Sequence, residues 1–96
     1  MTSGFLGVKL FTMTTKINEP VSVSFSFDSV KKKVSPKGVI WNGRLHPIVK
    51  IGLHHTYRKG MNLYHVFSVA TPTLFLRLVL DTENLHWKLE EVCDVN

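Results

Sequence analysis

The chain has one cysteine, Cys93, in 96 residues. A lone thiol closes no internal disulfide, and no Cys-x-x-Cys or Cys/His spacing is present to hold a structural zinc. The plain reading is cytoplasmic residence. Carboxylates are scarce as well: seven Asp and Glu stand against twelve Lys and Arg, a formal net charge of +5. They are dispersed, and the adjacent Glu90 and Glu91 are expected on opposite faces of a strand, where they form no acid–base pair. No Ser-His-Asp grouping has local support, and Cys93 has no flanking base. The glycines of "PKGVIWNGR" lack the spacing of a phosphate loop and the helix that follows one. These absences point to a non-enzyme without a cofactor.

Long apolar runs are missing too. Nothing approaches the roughly eighteen apolar residues of a membrane helix. The leading "MTSGFLGVKLFTMTTK" is broken by Lys9 and lacks the basic start of a signal peptide. No membrane partner is expected. Residues 1–18 show no clear period and read as a loosely held, disordered extension; residues 19–96 read as one small domain. No stretch has a convincing helical period, and no repeat of solenoid length appears.

What is present is alternation. "VSVSFSF" places Val21, Val23, Phe25 and Phe27 on one face and serines on the other, the period of a half-buried strand. Asn42-Gly43 between apolar runs signals a tight hairpin, pairing 38–41 with 44–48. The following stretch, 44–57, reads as one bent strand serving two parts of a sheet, with Val49, Ile51, Leu53 and Tyr57 sharing a face. Pro47 and Gly52 predict a bend or bulge between them. Then come a turn at Arg58-Lys59-Gly60, the strand "MNLYHVFSV", a turn at Thr71-Pro72, and "TLFLRLVL" with Leu74, Leu76, Leu78 and Leu80 inward and Arg77 outward. "LHWKLEEV", with Leu85, Trp87 and Leu89 inward, ends the meander. The fold class is all-β: a small antiparallel meander of five to six strands forming a strongly bent sheet or an SH3-like barrel.

The segment "IGLHHTYRKGMNLYHVF" is rich in rings: His54, His55, His65, Tyr57 and Tyr64. With Arg58-Lys59-Gly60 as a three-residue loop, His55 and His65 are diagonal neighbours, and Leu53, Tyr57, Leu63, Phe67 and Val69 share a side. An even loop centred on Lys59 and Gly60 sets His54 opposite His65 instead. Two imidazoles can bind a transition metal, but a catalytic zinc needs a third ligand, for which His46 and His86 are the candidates. The ordinary reading is half-buried strand-face rings without a metal.

The basic balance favours an anionic partner. Lys9, Lys31, Lys32, Lys33 and Lys37 fall in or near loops and the leading segment and read as solvated charge. Arg44, Lys50, Arg58, Lys59, Arg77 and Lys88 lie on or beside the expected sheet, with Tyr57, Tyr64 and Trp41 near them. Small barrels bind single-stranded nucleic acid with this mixture. The candidate nucleic-acid residues are Arg44, Lys50, Tyr57, Arg58, Lys59, Tyr64 and Arg77. Trp87 reads as a core anchor. Trp41 fits core or surface equally. Arg77 needs a partner, for which Asp81 or Glu90 serves.

Trp41, Gly43 and Arg44 in "W-x-G-R", then Val49, Arg77, and Trp87, Leu89, Val92 and Asp94 in "W-x-L-x-x-V-x-D" carry a resemblance. From Gly38 to Asp94 the chain resembles a small all-β bacterial family found alone or appended to proteins related to translesion DNA polymerases. It departs at "LHHTYRKG", where that family tends to carry tryptophans. The resemblance implies a barrel-like module associated with DNA transactions and carries over no catalytic residue. The favoured function is a non-enzymatic module binding nucleic acid. The alternatives are a protein-interaction or homodimerising module, using "TLFLRLVL" as an edge strand, and a metal-binding protein using the histidines.

Overall fold

The computed structural model describes residues 14–94. Seven strands follow one another: β1 (Thr14–Asp28), β2 (Lys33–Trp41), β3 (Arg44–Pro47), β4 (Lys50–Lys59), β5 (Asn62–Ala70), β6 (Leu74–Asp81) and β7 (His86–Asp94). They form one antiparallel sheet in the order β3-β2-β1-β7-β6-β5-β4. The all-β antiparallel reading is borne out; the strand number is seven, not five to six. Lys33–Lys37, read as a loop, lies in β2, and the bent stretch 44–57 divides into β3 and β4. Residues 14–18, assigned to the leading extension, belong to β1; the rest of that extension, 1–13 with Lys9, lies outside the described residues.

The chain changes partners at two places, once within β1 and once between β3 and β4. β1 pairs with β7 through Thr14–Val21 and with β2 through Ser22–Asp28. At the other end of the order, Ile48 N–H donates to the Lys37 carbonyl of β2 at 2.9 Å, and the next residue, Val49, donates to Ala70 of β5 at 2.8 Å. The two edge strands are thus consecutive in the chain, as expected for 44–57, but no ladder joins them and the sheet is not closed.

The inner face holds the core. Phe67 and Val69 of β5, Leu76, Leu78 and Leu80 of β6, Trp87, Leu89 and Val92 of β7 and Val39 of β2 are buried together. Val21, Val23 and Ile48 pack against them. The alternation in "VSVSFSF" is realised: Val21 faces Trp87, Val23 faces Val39, and Phe27 faces Val34. Trp87 is a core anchor, 5% exposed. Trp41 is half-buried against the core edge, its ring 5.9 Å from His46. Leu85, expected inward, is 60% exposed. It occupies a turn with φ of 61°, its N–H bonded to Asp81 at 2.8 Å, and so leaves the strand alternation.

Turn chemistry explains the registers. Asn42 and Gly43 both have positive φ, 54° and 71°, and Trp41 faces Arg44; this is the type I′ hairpin that Asn-Gly favours. The β4–β5 hairpin differs from expectation. Its loop is Gly60-Met61, Arg58 and Lys59 lie in β4, and Lys59 faces Asn62. Gly60 has φ of 63° and Met61 does not share the positive sign, the requirement of a type II′ turn with glycine first. The anticipated bulge lies at Gly52-Leu53, which together oppose Ser68. There a Cβ on Gly52 would come within 3.3 Å of the Ser68 carbonyl.

Candidate functional site

The two-residue turn decides which rings meet. Tyr57 faces Tyr64, Thr56 faces His65, and His54 faces Phe67. Tyr57 and Tyr64 therefore stand on the outer face and His54 and His65 on the inner one. This corrects the expected grouping of Tyr57 with Leu63, Phe67 and Val69, and the expected pairing of His55 with His65. His55 faces Val66 on the outer side.

On the inner face, the His54 ring lies flat on Phe67, centroids 4.2 Å apart at 6°. Its Nε2 is 2.8 Å from His65 Nδ1. One ring donates and the other accepts, so the pair holds together with both rings neutral. Desolvation lowers the His54 pKa, with smaller contributions from His65, Lys33 and His55. Desolvation also lowers that of His65. Of the three histidines considered for a metal, His54 and His65 meet and His55 is turned away. Among the described residues no third His, Cys, Asp or Glu joins them to complete a metal-binding group.

On the outer face, Tyr57 and Tyr64 stack at 4.9 Å and 11°. Tyr57 is 43% exposed. Burial raises its phenol pKa, with Glu90, Tyr64 and Asp81 adding to the shift, so the ring stays neutral at physiological pH. Lys59 and Lys88 share this face by register. So do Lys50 and Arg77, which line a groove of about 410 Å³ with Gly52, Ser68, Phe75 and Cys93. Cys93 is in β7 rather than in a terminal tail.

Five of the seven candidate nucleic-acid residues, Lys50, Tyr57, Lys59, Tyr64 and Arg77, thus share the outer face. Arg58, facing Leu63, and Arg44, facing Trp41, do not. Arg77 is also committed elsewhere: its Nη1 lies 3.7 Å from Glu90 and 3.5 Å from Glu91, and Lys16 reaches Glu91 at 3.2 Å. Glu90 was one of its two expected partners; the other, Asp81, accepts from Asn62 at 2.9 Å instead. Both glutamates reach Arg77 because the β6–β7 register shifts between Arg77 and Leu78. The extra residue, Glu90, is brought to the same face as Glu91, against the strict alternation expected of them.

β6, which the protein-interaction alternative needs at an edge, is an interior strand between β5 and β7. The long edge is β4, exposed at every residue. Among the described residues no helix is long and apolar enough to cross a membrane. Comparison of the chain with models of known protein families, with curated proteins and with solved structures finds no match.

Proposed function

We propose that the protein is a non-enzymatic binding module whose outer face along β4 and β5 takes single-stranded nucleic acid. The observation that carries the reading is the Tyr57–Tyr64 stack, open to solvent on a face that also bears Lys59, Lys88 and Lys50. Exposed rings offer bases a stacking platform whatever their sequence, and flanking ammonium groups meet the phosphates. Lys50 to Lys59 spans roughly 30 Å of strand, enough for a short run of extended nucleotides. Arg77 is held by Glu90 and Glu91 and serves the face structurally. The resemblance to a barrel-like family associated with DNA transactions agrees with this reading, and a cytoplasmic setting suits it.

The test is an NMR titration of the labelled chain with a mixed single-stranded oligonucleotide at two salt concentrations. Shifts centred on Tyr57, Lys59 and Tyr64 are expected. Log affinity should fall against log salt by about 0.7 for each phosphate contact. A spectrum unchanged by the oligonucleotide at low salt overturns the proposal.

A further inference from the structure

The β4 edge carries a separate inference, independent of the tyrosine face. A two-residue hairpin closes on a pair that exchanges both of its bonds, here Lys59 and Asn62. Alternation then turns the N–H and C=O of Arg58, Thr56 and His54 away from β5. Leu63, opposite Arg58, shows the same phase. Its carbonyl accepts from the N–H and hydroxyl of Thr82, at 3.2 and 2.7 Å, on the far side of β5.

Those outward groups meet no other strand, since among the described residues β4 packs on β5 alone. The opposite edge of the sheet is protected differently. β3 has only four residues and ends in Pro47, both means of blunting an edge. β4 has ten residues, no proline, and a regular run from His54 to Lys59 bounded by the Gly52-Leu53 bulge. An edge with free donors and acceptors at every second residue is a template for one more strand.

Charge selects the occupant. β4 contains Lys50, Arg58 and Lys59 and no carboxylate. The Lys33 ammonium lies close enough to act on His54, and Lys31 and Lys32 adjoin it in the β1–β2 turn. A second copy of β4 would bring cations and no carboxylate in any register, and like charges across a ladder destabilise it. We propose that the His54–Lys59 edge is a strand-addition site for an extended acidic segment of another protein. The segment's main chain pairs with His54, Thr56 and Arg58, and its carboxylates lie beside Arg58, Lys59 and Lys33.

The test titrates the full labelled chain with a short peptide alternating valine and glutamate, and with its valine–lysine counterpart. The glutamate peptide should shift the amides of His54, Thr56 and Arg58 and slow their hydrogen exchange; the lysine peptide should lose most of that affinity. Thr56→Pro removes an outward N–H without removing a bond to β5, and should abolish binding while the other resonances keep their dispersion. Should that variant fail to fold, the double reversal Arg58→Glu, Lys59→Glu should exchange the peptide preference. Equal binding of both peptides, no binding at millimolar concentration, or an unchanged preference after charge reversal overturns the inference. So does an oligonucleotide that perturbs the same three amides while the glutamate peptide does not. The nucleic-acid proposal is read on Tyr57 and Tyr64 with the oligonucleotide, so either can fail alone.

Discussion

β6 and β4 are similar in length, and each carries apolar residues and cations, yet they live in different environments. In β6, Leu76, Leu78, Val79 and Leu80 are buried, and the one cation, Arg77, is held by two glutamates. In β4 all ten residues are exposed, including Ile51, Leu53 and Tyr57. The difference comes from position in the sheet. β6 has a partner on each side and the core across its inner face, whereas β4 has one partner. Stability is therefore concentrated in β5–β7, while β4 is left with backbone and side chains available for recognition.

The contrast can be broken most severely at Leu78, which is fully buried. Leu78→Ala should cost about 2–5 kcal/mol by the lost transfer energy and the cavity left behind, read by urea denaturation. Loss on that scale threatens the fold of a domain this small. Next comes the turn that sets the β4 register. A Cβ on Gly60 meets nothing within 4 Å, so Gly60→Ala isolates the backbone cost of its positive φ, about 1–2 kcal/mol. A fall of that size without a change in the slope against denaturant checks it.

Arg77→Met should cost about 1 kcal/mol or less, because its ion pairs are partly exposed and solvent screens them. The difference from the parent protein should shrink in high salt. Leu53→Thr, on the exposed edge, should stay within about 0.5 kcal/mol of the parent. A cost as large as that at Leu78 would show that β4 is covered in solution and would remove the basis of the comparison.

The smallest effect is expected at the histidine pair, and its sign is definite. Both folded-state pKa values are lowered, so the unfolded chain binds more protons near pH 6. This contribution is present above the unfolded value near 6.5 and is lost as pH falls through that value toward the lowered ones. Melting temperatures should decline below pH 6.5, and His54→Phe should flatten the decline by removing one titrating ring and its contact with the other.

Much of the strand pattern was legible because local chemistry states it. Strict alternation placed Val21 and Val23 inward and the leucines of β6 in the core, and Asn42-Gly43 demanded its hairpin. The candidate site was legible in residue type and only partly in arrangement. Tyr57 and Tyr64 sit together, but Arg58, expected in a turn, lies in a strand. Gly60 can serve as the last residue of a three-residue loop or the first of a two-residue one. A single-residue change of register moves every β4 side chain to the other face. The joint approach of Glu90 and Glu91 to Arg77 depends on a bulge that no local residue announces.

The sequence by itself determined that this chain makes antiparallel strands, because a period of two with Gly, Asn and Pro at the breaks suits little else. It also determined the basic balance and, with one cysteine, that no disulfide closes within the chain. Tertiary structure alone decided which strand lies at the edge, which histidines touch, and which cations share the tyrosine face. Those outcomes depend on pairings between residues far apart in the chain, such as Thr14 with Cys93 and Lys50 with Ala70. Such pairings follow from how the whole sheet curls to bury its inner face, a condition on the whole chain that no local stretch contains.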